Sequence, residues 1–243
     1  IVGTGDIAHS MAGMIRMADA AEIGAVSSRR MASAQEFAQA HGVANAFDSW
    51  QEMIDSGSVD AIYVATPTNV REEICIAAAT AGKHVLGEKP FASLPSVRRI
   101  IDACRGNNVA FMDGTHFAHH PRTLDIKARR KELLGMTWSV ASAFQFDLPD
   151  RGNIRFNPEL EPMGAIGDAG WYNMRAAVEY LSPDAALDSV SAHLRRDAET
   201  GAAISGTGVL DFTDGSTSTW NCGFDSVAVV MDLRITGTEG VIS

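Results

Sequence analysis

The sequence predicts an α/β domain with a parallel sheet, followed by an α+β domain with a mostly antiparallel, open sheet that is truncated at its C-terminal end. Two observations support this division. Up to about Gly114, short apolar runs alternate with helical stretches, which is typical of repeated strand-helix units. Beyond it, longer segments alternate apolar and polar residues, as in a sheet with one covered face. We therefore expect domains at residues 1–115 and 116–243.

In the first domain, strands and helices are predicted to alternate. Short apolar runs predict strands at Val2, Ile23–Ser27, Ala61–Ala65, His84–Gly87 and Ala110–Asp113. Helical spacing between them predicts helices at Ile7–Ala18, Ser33–His41, Ser49–Ile54, Val70–Ala81 and Pro95–Arg105. Ser49 is a suitable N-cap, and Gly42 and Gly82 are suitable helix stops.

In the second domain, strands dominate. Helices are predicted at Arg122–Leu134 and Asp168–Leu181, separated by a strand within Gly135–Phe146 and a loop at Leu148–Gly164. Further strands are predicted at Ser189–Arg195, Gly206–Phe212, Ser216–Cys222 and Val229–Thr236, with a hairpin turn at Asp214-Gly215. Because the sequence opens and closes inside strands, we expect a segment clipped at both ends.

Composition excludes several classes of protein. The formal net charge of −10 argues against a nucleic-acid partner, and every apolar run is too short to span a membrane. The cysteines, which are three and scattered, fit neither a disulfide framework nor a metal cluster, so we expect core thiols and a reducing, cytoplasmic compartment. No metal site is expected: His9, His41, His84 and His193 lack metal-ligand spacing. His116, His119 and His120 are expected to line a substrate pocket rather than bind zinc.

The first residues resemble a phosphate-binding glycine loop. Gly3, Gly5 and Ala8 occupy the three small positions of a strand-turn-helix unit that binds a dinucleotide pyrophosphate. The helix predicted from about Ile7 would point its unpaired N–H groups at the phosphates, so Asp6 and Ile7 are also expected to contact the cofactor. The alternative is a plain strand-to-helix turn without a ligand.

The second strand ends in Ser27-Ser28-Arg29-Arg30, where an NAD-binding protein would carry an acidic residue. Hydroxyls followed by guanidinium groups suit a 2′-phosphate, so Ser28, Arg29 and Arg30 favour NADP, with NAD still possible. Alternatively, Arg29 and Arg30 are solvated residues that begin the next helix.

Two further segments resemble the Gfo/Idh/MocA oxidoreductases. Val59–Asn69 contains a Thr-Pro turn, and Ala81–Pro90 contains a Glu-Lys-Pro turn. In that family these turns border the nicotinamide, which implies that Thr66, Pro67, Asn69, Glu88 and Lys89 contact the cofactor. The resemblance extends over essentially the whole chain.

A third segment, Gly164–Tyr172, resembles the substrate-domain helix of the family, with Asp168 and Tyr172 in the motif positions. Together with Asn153-Ile154-Arg155, it is most similar to the branch of glucose-fructose oxidoreductase, dihydrodiol dehydrogenase and NADP-linked xylose dehydrogenase, and also to uncharacterised plant members. Arg71 stands where many relatives have His, and the loop at His116–His120 differs from the usual aromatic pattern. We expect these departures to alter substrate contacts rather than chemistry.

The resemblance implies that Lys89, Tyr172 and Asp168 are catalytic. A phenol with a pKa of about 10 is a poor base near neutrality, but a nearby ammonium stabilises the phenolate. Tyr172 would then exchange a proton with the substrate hydroxyl, Lys89 would stabilise the alkoxide, and Asp168 would bind another hydroxyl or orient Lys89. Glu88 is expected to fix its turn. Singly, the three groups also fit an exposed lysine, a core aromatic and an N-cap.

We therefore expect an NADP(H)-dependent oxidoreductase that moves a hydride between nicotinamide and a secondary alcohol or carbonyl of a sugar, polyol or cyclic diol. One alternative is a catalytically silent NADP(H)-binding sensor. Another is a relative that uses bound nicotinamide in glycoside cleavage. The partner is a small-molecule substrate, and the family's open sheet implies a homo-oligomer, such as a dimer.

Overall fold

The computed structural model describes residues 1–181 and 185–243, and the chain divides into two compact units. Unit 1 comprises Ile1–Gly114, and unit 2 comprises Thr115–Ser243. Unit 1 contains parallel strand pairs, whereas most pairs in unit 2 are antiparallel. The predicted fold class is therefore confirmed.

The sheet of unit 1 is parallel and is completed by the first residues of the chain. Its strands are β1 Ala25–Ser27, β2 Asn45–Phe47, β3 Ala61–Val64, β4 His84–Gly87 and β5 Phe111–Asp113. Val2 bridges Ser27 and Val64 in parallel, which joins the pair β1-β2 to the triplet β3-β4-β5. The spatial order is therefore β2-β1-Val2-β3-β4-β5. From Val2 the chain adds β1 and β2 on one side of the sheet and then β3, β4 and β5 on the other, so the strand order reverses at Val2. Ligands of open α/β sheets bind outside the carboxyl ends of the strands at such a reversal.

The helices of unit 1 connect these strands. They are α1 Asp6–Ile15, α2 Met31–His41, α3 Trp50–Asp55, α4 Thr68–Thr80 and α5 Leu94–Gly106. Ser49 caps α3 as predicted, because its hydroxyl accepts a hydrogen bond from the Glu52 amide at 3.2 Å. Helix α1 packs on the sheet through Ala8 and Ala12, which are fully buried. A larger residue at either position would push α1, and the loop before it, away from the strands.

The sheet of unit 2 is long and has one parallel pair at its centre. Its strands are β6 Thr137–Asp147, β7 Leu187–Arg196, β8 Ala203–Phe212, β9 Thr217–Gly223, β10 Asp225–Gly237 and β11 Val241–Ile242. They lie in the order β11-β10-β6-β9-β8-β7, in which only β6 and β9 pair in parallel among the strands described. The predicted hairpin between β8 and β9 is confirmed, and Asp214 accepts hydrogen bonds from the amide and hydroxyl of Ser216 at its turn.

Helices cover one face of this sheet. They are α6 Pro121–Leu134, α7 Gly164–Asp168 and α8 Gly170–Tyr180, with short 3-10 helices at His116–His119 and Ile154–Phe156. The helix predicted over Asp168–Leu181 is found as α8, and the short helix α7, which was not predicted, precedes it with a break at Ala169. Gly170 lies against the Cys222 sulfur, and α8 then buries Tyr180 completely. The phenol of Tyr180 donates to Thr123 Oγ1 at 3.1 Å, which ties α8 to α6.

The opposite face of the sheet is lined by small and polar side chains. Register places these residues in two rows that cross five strands. The rows are Ser191, Val209, Thr219, Ala141 and Arg234, and His193, Thr207, Asn221, Ala143 and Asp232. A concavity of about 1140 Å³ is lined by these residues among others. None of the helices that the structure describes meets the length and hydropathy expected of a membrane span.

Candidate active site

The glycine loop has the geometry that its sequence predicts. Gly3 adopts φ +105°, and a Cβ there would lie 2.6 Å from the Ala65 carbonyl oxygen, so only glycine fits without strain. A Cβ on Gly5 would meet nothing within 4 Å, and α1 begins at the next residue. The first N–H groups of α1 have no partners within the helix, so the open side of this loop is suited to an anion.

The Ser-Arg-Arg segment follows β1 directly. The Thr4 hydroxyl donates to Ser28 Oγ at 3.3 Å, which links the segment to the glycine loop. Arg30 precedes the first residue of α2, and both Arg29 and Arg30 are exposed. A pocket of about 420 Å³ lies here, with this lining: Thr4, His9, Arg30, Ser33, Glu36, Phe37 and Ala40. The fit to a phosphorylated ribose is good, because Arg30 and two hydroxyls face one small cavity.

The Thr-Pro turn lies between β3 and α4, and a buried cation fixes it. Pro67 precedes the first residue of α4, and Asn69 lies in the first turn of that helix. Arg71, which is 4% exposed, donates to the Thr66 and Pro90 carbonyl oxygens. Arg71 therefore joins the two motif turns within unit 1, and the expectation that this departure alters substrate contacts stays a prediction.

The Glu-Lys-Pro turn follows β4 and is anchored on both sides of its lysine. Glu88 is buried and accepts a hydrogen bond from the Tyr63 hydroxyl at 2.7 Å. Pro90 is held by Arg71 on the other side. Lys89 itself is half-buried, so it is not the freely solvated lysine of the alternative interpretation. Since β4 and the first strand are parallel, Lys89 and the glycine loop lie at the same carboxyl edge of the sheet.

Tyr172 lies on α8, and its ring is close to three other aromatic rings. Its ring centroid is 5.3 Å from that of Phe144 and 6.2 Å from those of His116 and Phe117. The Tyr172 hydroxyl is 3.4 Å from His116 Nδ1, within hydrogen-bonding distance. The sequence did not predict that His116 lies beside Tyr172. His116 was expected only to line a pocket, because 56 positions separate it from Tyr172.

Asp168 is the last residue of α7, so it is not an N-cap of the following helix. Its carboxylate forms a two-pronged ion pair with Arg155, with distances of 2.7 Å from Nε to Oδ2 and 3.2 Å from Nη2 to Oδ1. Arg155 is in turn oriented by Asn153, whose Oδ1 accepts from the Arg155 amide at 3.1 Å. The Asn-Ile-Arg motif was therefore the sequence signal for this pair.

The predicted cofactor residues, Lys89 among them, all belong to unit 1. Tyr172 and Asp168 belong to unit 2. No group of three His, Cys, Asp or Glu side chains suited to a metal ion occurs in residues 1–181 and 185–243. His120 instead caps α6, accepting from the Arg122 amide at 3.1 Å.

Comparisons with known proteins agree with this architecture. Residues 1–115 match the family model described as an oxidoreductase family with an NAD-binding Rossmann fold, and residues 127–243 match the GFO/IDH/MocA C-terminal domain. D-xylose 1-dehydrogenase (NADP(+)) 2 of Haloferax volcanii is 32% identical over 207 residues, which are 84% of this chain and 62% of that protein.

Two further comparisons concern sugar-nucleotide reductases. The dTDP-3,4-didehydro-2,6-dideoxy-alpha-D-glucose 3-reductase of Actinomadura kijaniata is 29% identical over 93% of this chain and 68% of its own length. The crystal structure of a 3-ketoreductase from Actinomadura kijaniata with NADP and TDP-benzene superposes with a TM-score of 0.88, 26% identity, and coverage of 98% of this chain and 72% of that one. The chain therefore spans about two thirds of the length of these sequence relatives. Since both of its parts match models of one family, the chain belongs to the Gfo/Idh/MocA oxidoreductases.

Proposed function

We propose that this protein is an NADP(H)-dependent oxidoreductase that transfers a hydride between nicotinamide and a secondary alcohol or carbonyl of a sugar, polyol or cyclic diol. The observation that carries the proposal is the anchoring of Lys89 between two buried side chains, Glu88 and Arg71, at the carboxyl edge that also holds the glycine loop. The named activities of the relatives support the substrate class.

In this proposal unit 1 binds the dinucleotide, with residues 1–115 as the nucleotide-binding domain and residues 116–243 as the substrate-binding and dimerisation domain. The pyrophosphate would lie against Gly3, Gly5 and the first N–H groups of α1. The other cofactor contacts are Asp6, Ile7, Ala8, Ser28, Arg29, Arg30, Thr66, Pro67, Asn69, Glu88 and Lys89. NADP is favoured over NAD because a guanidinium and two hydroxyls face the pocket beyond β1.

When bound, the nicotinamide accepts or supplies the hydride. The chain's own groups handle the proton and the charge. Tyr172 would accept the hydroxyl proton in oxidation and donate it in reduction, and Lys89 would stabilise the alkoxide. His116, 3.4 Å from the Tyr172 hydroxyl, would pass the proton toward solvent. Asp168, whose two oxygens are held by Arg155, would accept a hydrogen bond from a second substrate hydroxyl.

Matched substitutions test this assignment. Lys89→Met and Tyr172→Phe should each abolish turnover, measured at 340 nm on a panel of sugars, polyols and aldehydes, while NADPH binding, measured by fluorescence, persists. Lys83→Met, at the opposite end of β4, and Tyr180→Phe, on the same helix as Tyr172, are the controls and should retain turnover. Retained turnover in the Lys89 and Tyr172 variants would contradict the proposal.

The same assay separates the two alternatives. A sensor would bind NADPH without converting any compound of the panel. A glycoside-cleaving relative would release sugar, detected by chromatography, without net consumption of NADPH. Either result would contradict the proposal that the protein transfers a hydride to or from an external substrate.

We further propose a cytoplasmic homo-oligomer that assembles through the open sheet face of unit 2. The residues of the two rows on that face are exposed or half-buried, and small residues such as Ala141 and Ala143 allow close approach of a second sheet. The buried, unpaired cysteines Cys75, Cys104 and Cys222 suit a reducing compartment. Thr219→Arg, at the centre of the face, should shift the mass measured by light scattering toward the monomer, and an unchanged mass would contradict this interface.

A further inference from the structure

Two histidines from different helices of unit 1 meet beside the pocket that follows β1. His9 Nδ1, on α1, is 2.7 Å from His41 Nε2, at the end of α2. Phe37 packs against both rings, with centroid distances of 4.7 Å to His9 and 4.5 Å to His41. Phe37 is 1% exposed, so the fully buried ring fixes the position of His9.

His9 also lines the pocket of about 420 Å³ together with Arg30, Thr4 and Ser33. These side chains offer a guanidinium and two hydroxyls from two segments of the chain, the glycine loop and the start of α2. The lining also contains one carboxylate, Glu36, which disfavours an anion beside it. A phosphate in this pocket would therefore bind against the guanidinium and the hydroxyl groups.

The hydrogen bond between the rings determines which nitrogen of His9 carries a proton. Burial lowers the pKa of His41 below its usual value, and the nearby His9 and Arg16 lower it further, which favours the neutral form of His41. Its Nδ1 is buried and has no hydrogen-bond partner among the residues that the structure describes. A buried N–H without an acceptor is rarer than a buried acceptor without a donor. We therefore assign the His41 proton to Nε2, which donates to His9 Nδ1.

That assignment leaves His9 with its proton on Nε2. Because Nδ1 is occupied as an acceptor, Nε2 is the ring nitrogen that can donate to a ligand in the pocket. The pair therefore converts an exposed histidine on α1 into a donor of fixed tautomer and fixed orientation.

We propose that His9 is a specificity-determining residue that donates a hydrogen bond from Nε2 to the 2′-phosphate of NADP(H), with His41 and Phe37 as positioning residues. This inference rests on the proposed function and adds a phosphate contact from α1 to those expected from Ser28, Arg29 and Arg30. The sequence predicted only that His9 binds no metal, and nothing in its sequence neighbourhood points to His41, 32 positions away.

The experiment compares two probes by isothermal titration calorimetry on the purified protein. Adenosine 2′,5′-bisphosphate carries the 2′-phosphate, and 5′-AMP lacks it. His9→Ala should weaken binding of the bisphosphate about tenfold, as expected for one charge-assisted hydrogen bond, and leave 5′-AMP binding unchanged. His9 is exposed, so the variant should fold, and thermal melting verifies this.

Three further variants make the test specific. His41→Phe keeps a ring against Phe37 but removes the donor to His9, so it should weaken the bisphosphate by about threefold. His9→Gln, whose amide can donate, should recover part of the loss. Ser10→Ala, an exposed neighbour on α1, should bind both probes as the wild type does.

Several results would overturn the inference. Unchanged bisphosphate binding by His9→Ala, or an equal loss for both probes, would exclude a contact with the 2′-phosphate. Wild-type protein that binds both probes equally would exclude it as well. If the wild type binds NADPH but His9→Ala does not alter the preference, only the role of His9 fails. If the wild type binds neither NADPH nor either probe, the proposed function fails with it.

Discussion

Replacing Gly3 with alanine should destabilise the protein through one defined contact. An L-residue at φ +105° costs about 1–2 kcal/mol relative to glycine. The new Cβ would lie 2.6 Å from the Ala65 carbonyl oxygen and 2.9 Å from its carbon, and neither atom belongs to a flexible side chain. Relieving this overlap would displace a backbone whose Ala65 amide donates to the Val2 carbonyl at 2.8 Å. Overpacking of this kind costs about 1–3 kcal/mol, so the total is about 2–5 kcal/mol.

Two other glycines in the same segment should tolerate alanine much better than Gly3 does. Gly5 has φ −83°, and a Cβ there would meet nothing within 4 Å, so Gly5→Ala should cost less than about 1 kcal/mol of stability. Its methyl group would nevertheless project into the open side of the loop and weaken NADPH binding. Gly13 lies inside α1 with open space around it, so Gly13→Ala should stabilise the protein by about 0.5–1 kcal/mol.

The assay pairs urea unfolding, followed by circular dichroism, with fluorescence titration of NADPH. Gly3→Ala should lower the unfolding midpoint, Gly5→Ala should lower only NADPH affinity, and Gly13→Ala should raise the midpoint. If Gly3→Ala were as stable as Gly5→Ala, the close approach to Ala65 would not control the loop. If Gly5→Ala bound NADPH like the wild type, the pyrophosphate would not lie against this turn.

Three other substitutions address buried groups. Arg71→Met should lower unfolding stability by about 2–4 kcal/mol in urea, because it leaves two carbonyl oxygens in the interior without their donor; a loss below 1 kcal/mol would contradict this. Burial raises the pKa of Cys75 to about 12, so its thiol should react with iodoacetamide at pH 8 only after unfolding, as followed by mass spectrometry. Burial also raises the pKa of Glu179, but hydrogen bonds from Lys127 and Arg175 lower it by more, so the net pKa lies below its usual 4.5. The ionised Glu179 carboxylate therefore stabilises the folded protein above about pH 4.5, and this stabilisation is lost as the pH falls further. Melting temperatures of Glu179→Gln should accordingly fall less steeply with acid than those of the wild type.

Local signals in the sequence were sufficient for most of the secondary structure. Three of these features depend only on residues a few positions apart, so a single sequence is enough to predict them. They are the Ser49 cap, the Asp214-Gly215 turn and the alternation within β6. Strand β2 was missed, because Asn45 interrupts the apolar residues around it and leaves no continuous apolar run of the kind that predicts β1 and β5. The break at Ala169 was missed because its helical neighbours continue the same pattern on both sides.

Tertiary partners were the part that the sequence did not reveal. The glycine loop is one contiguous stretch of sequence, and so is each of the two motif turns. Their residues could therefore be proposed as cofactor contacts directly from the sequence. The partners that orient them were not: Arg71 carries no mark that distinguishes a buried bridge from a substrate contact. The parallel pairing of β6 with β9 likewise depends on a crossover of about 70 residues, which local alternation cannot specify.

The candidate site contains two kinds of side chain: buried ones that hold the backbone in place, and accessible ones that can react. Arg71 and Glu88 are almost fully buried and bind atoms of unit 1, so their loss should affect folding first. Lys89 and Tyr172 are only half-buried. A buried anchor and an accessible reactive group therefore alternate along the Glu-Lys-Pro turn. This alternation is the physical reason why substitution of Lys89 should remove turnover without removing the fold.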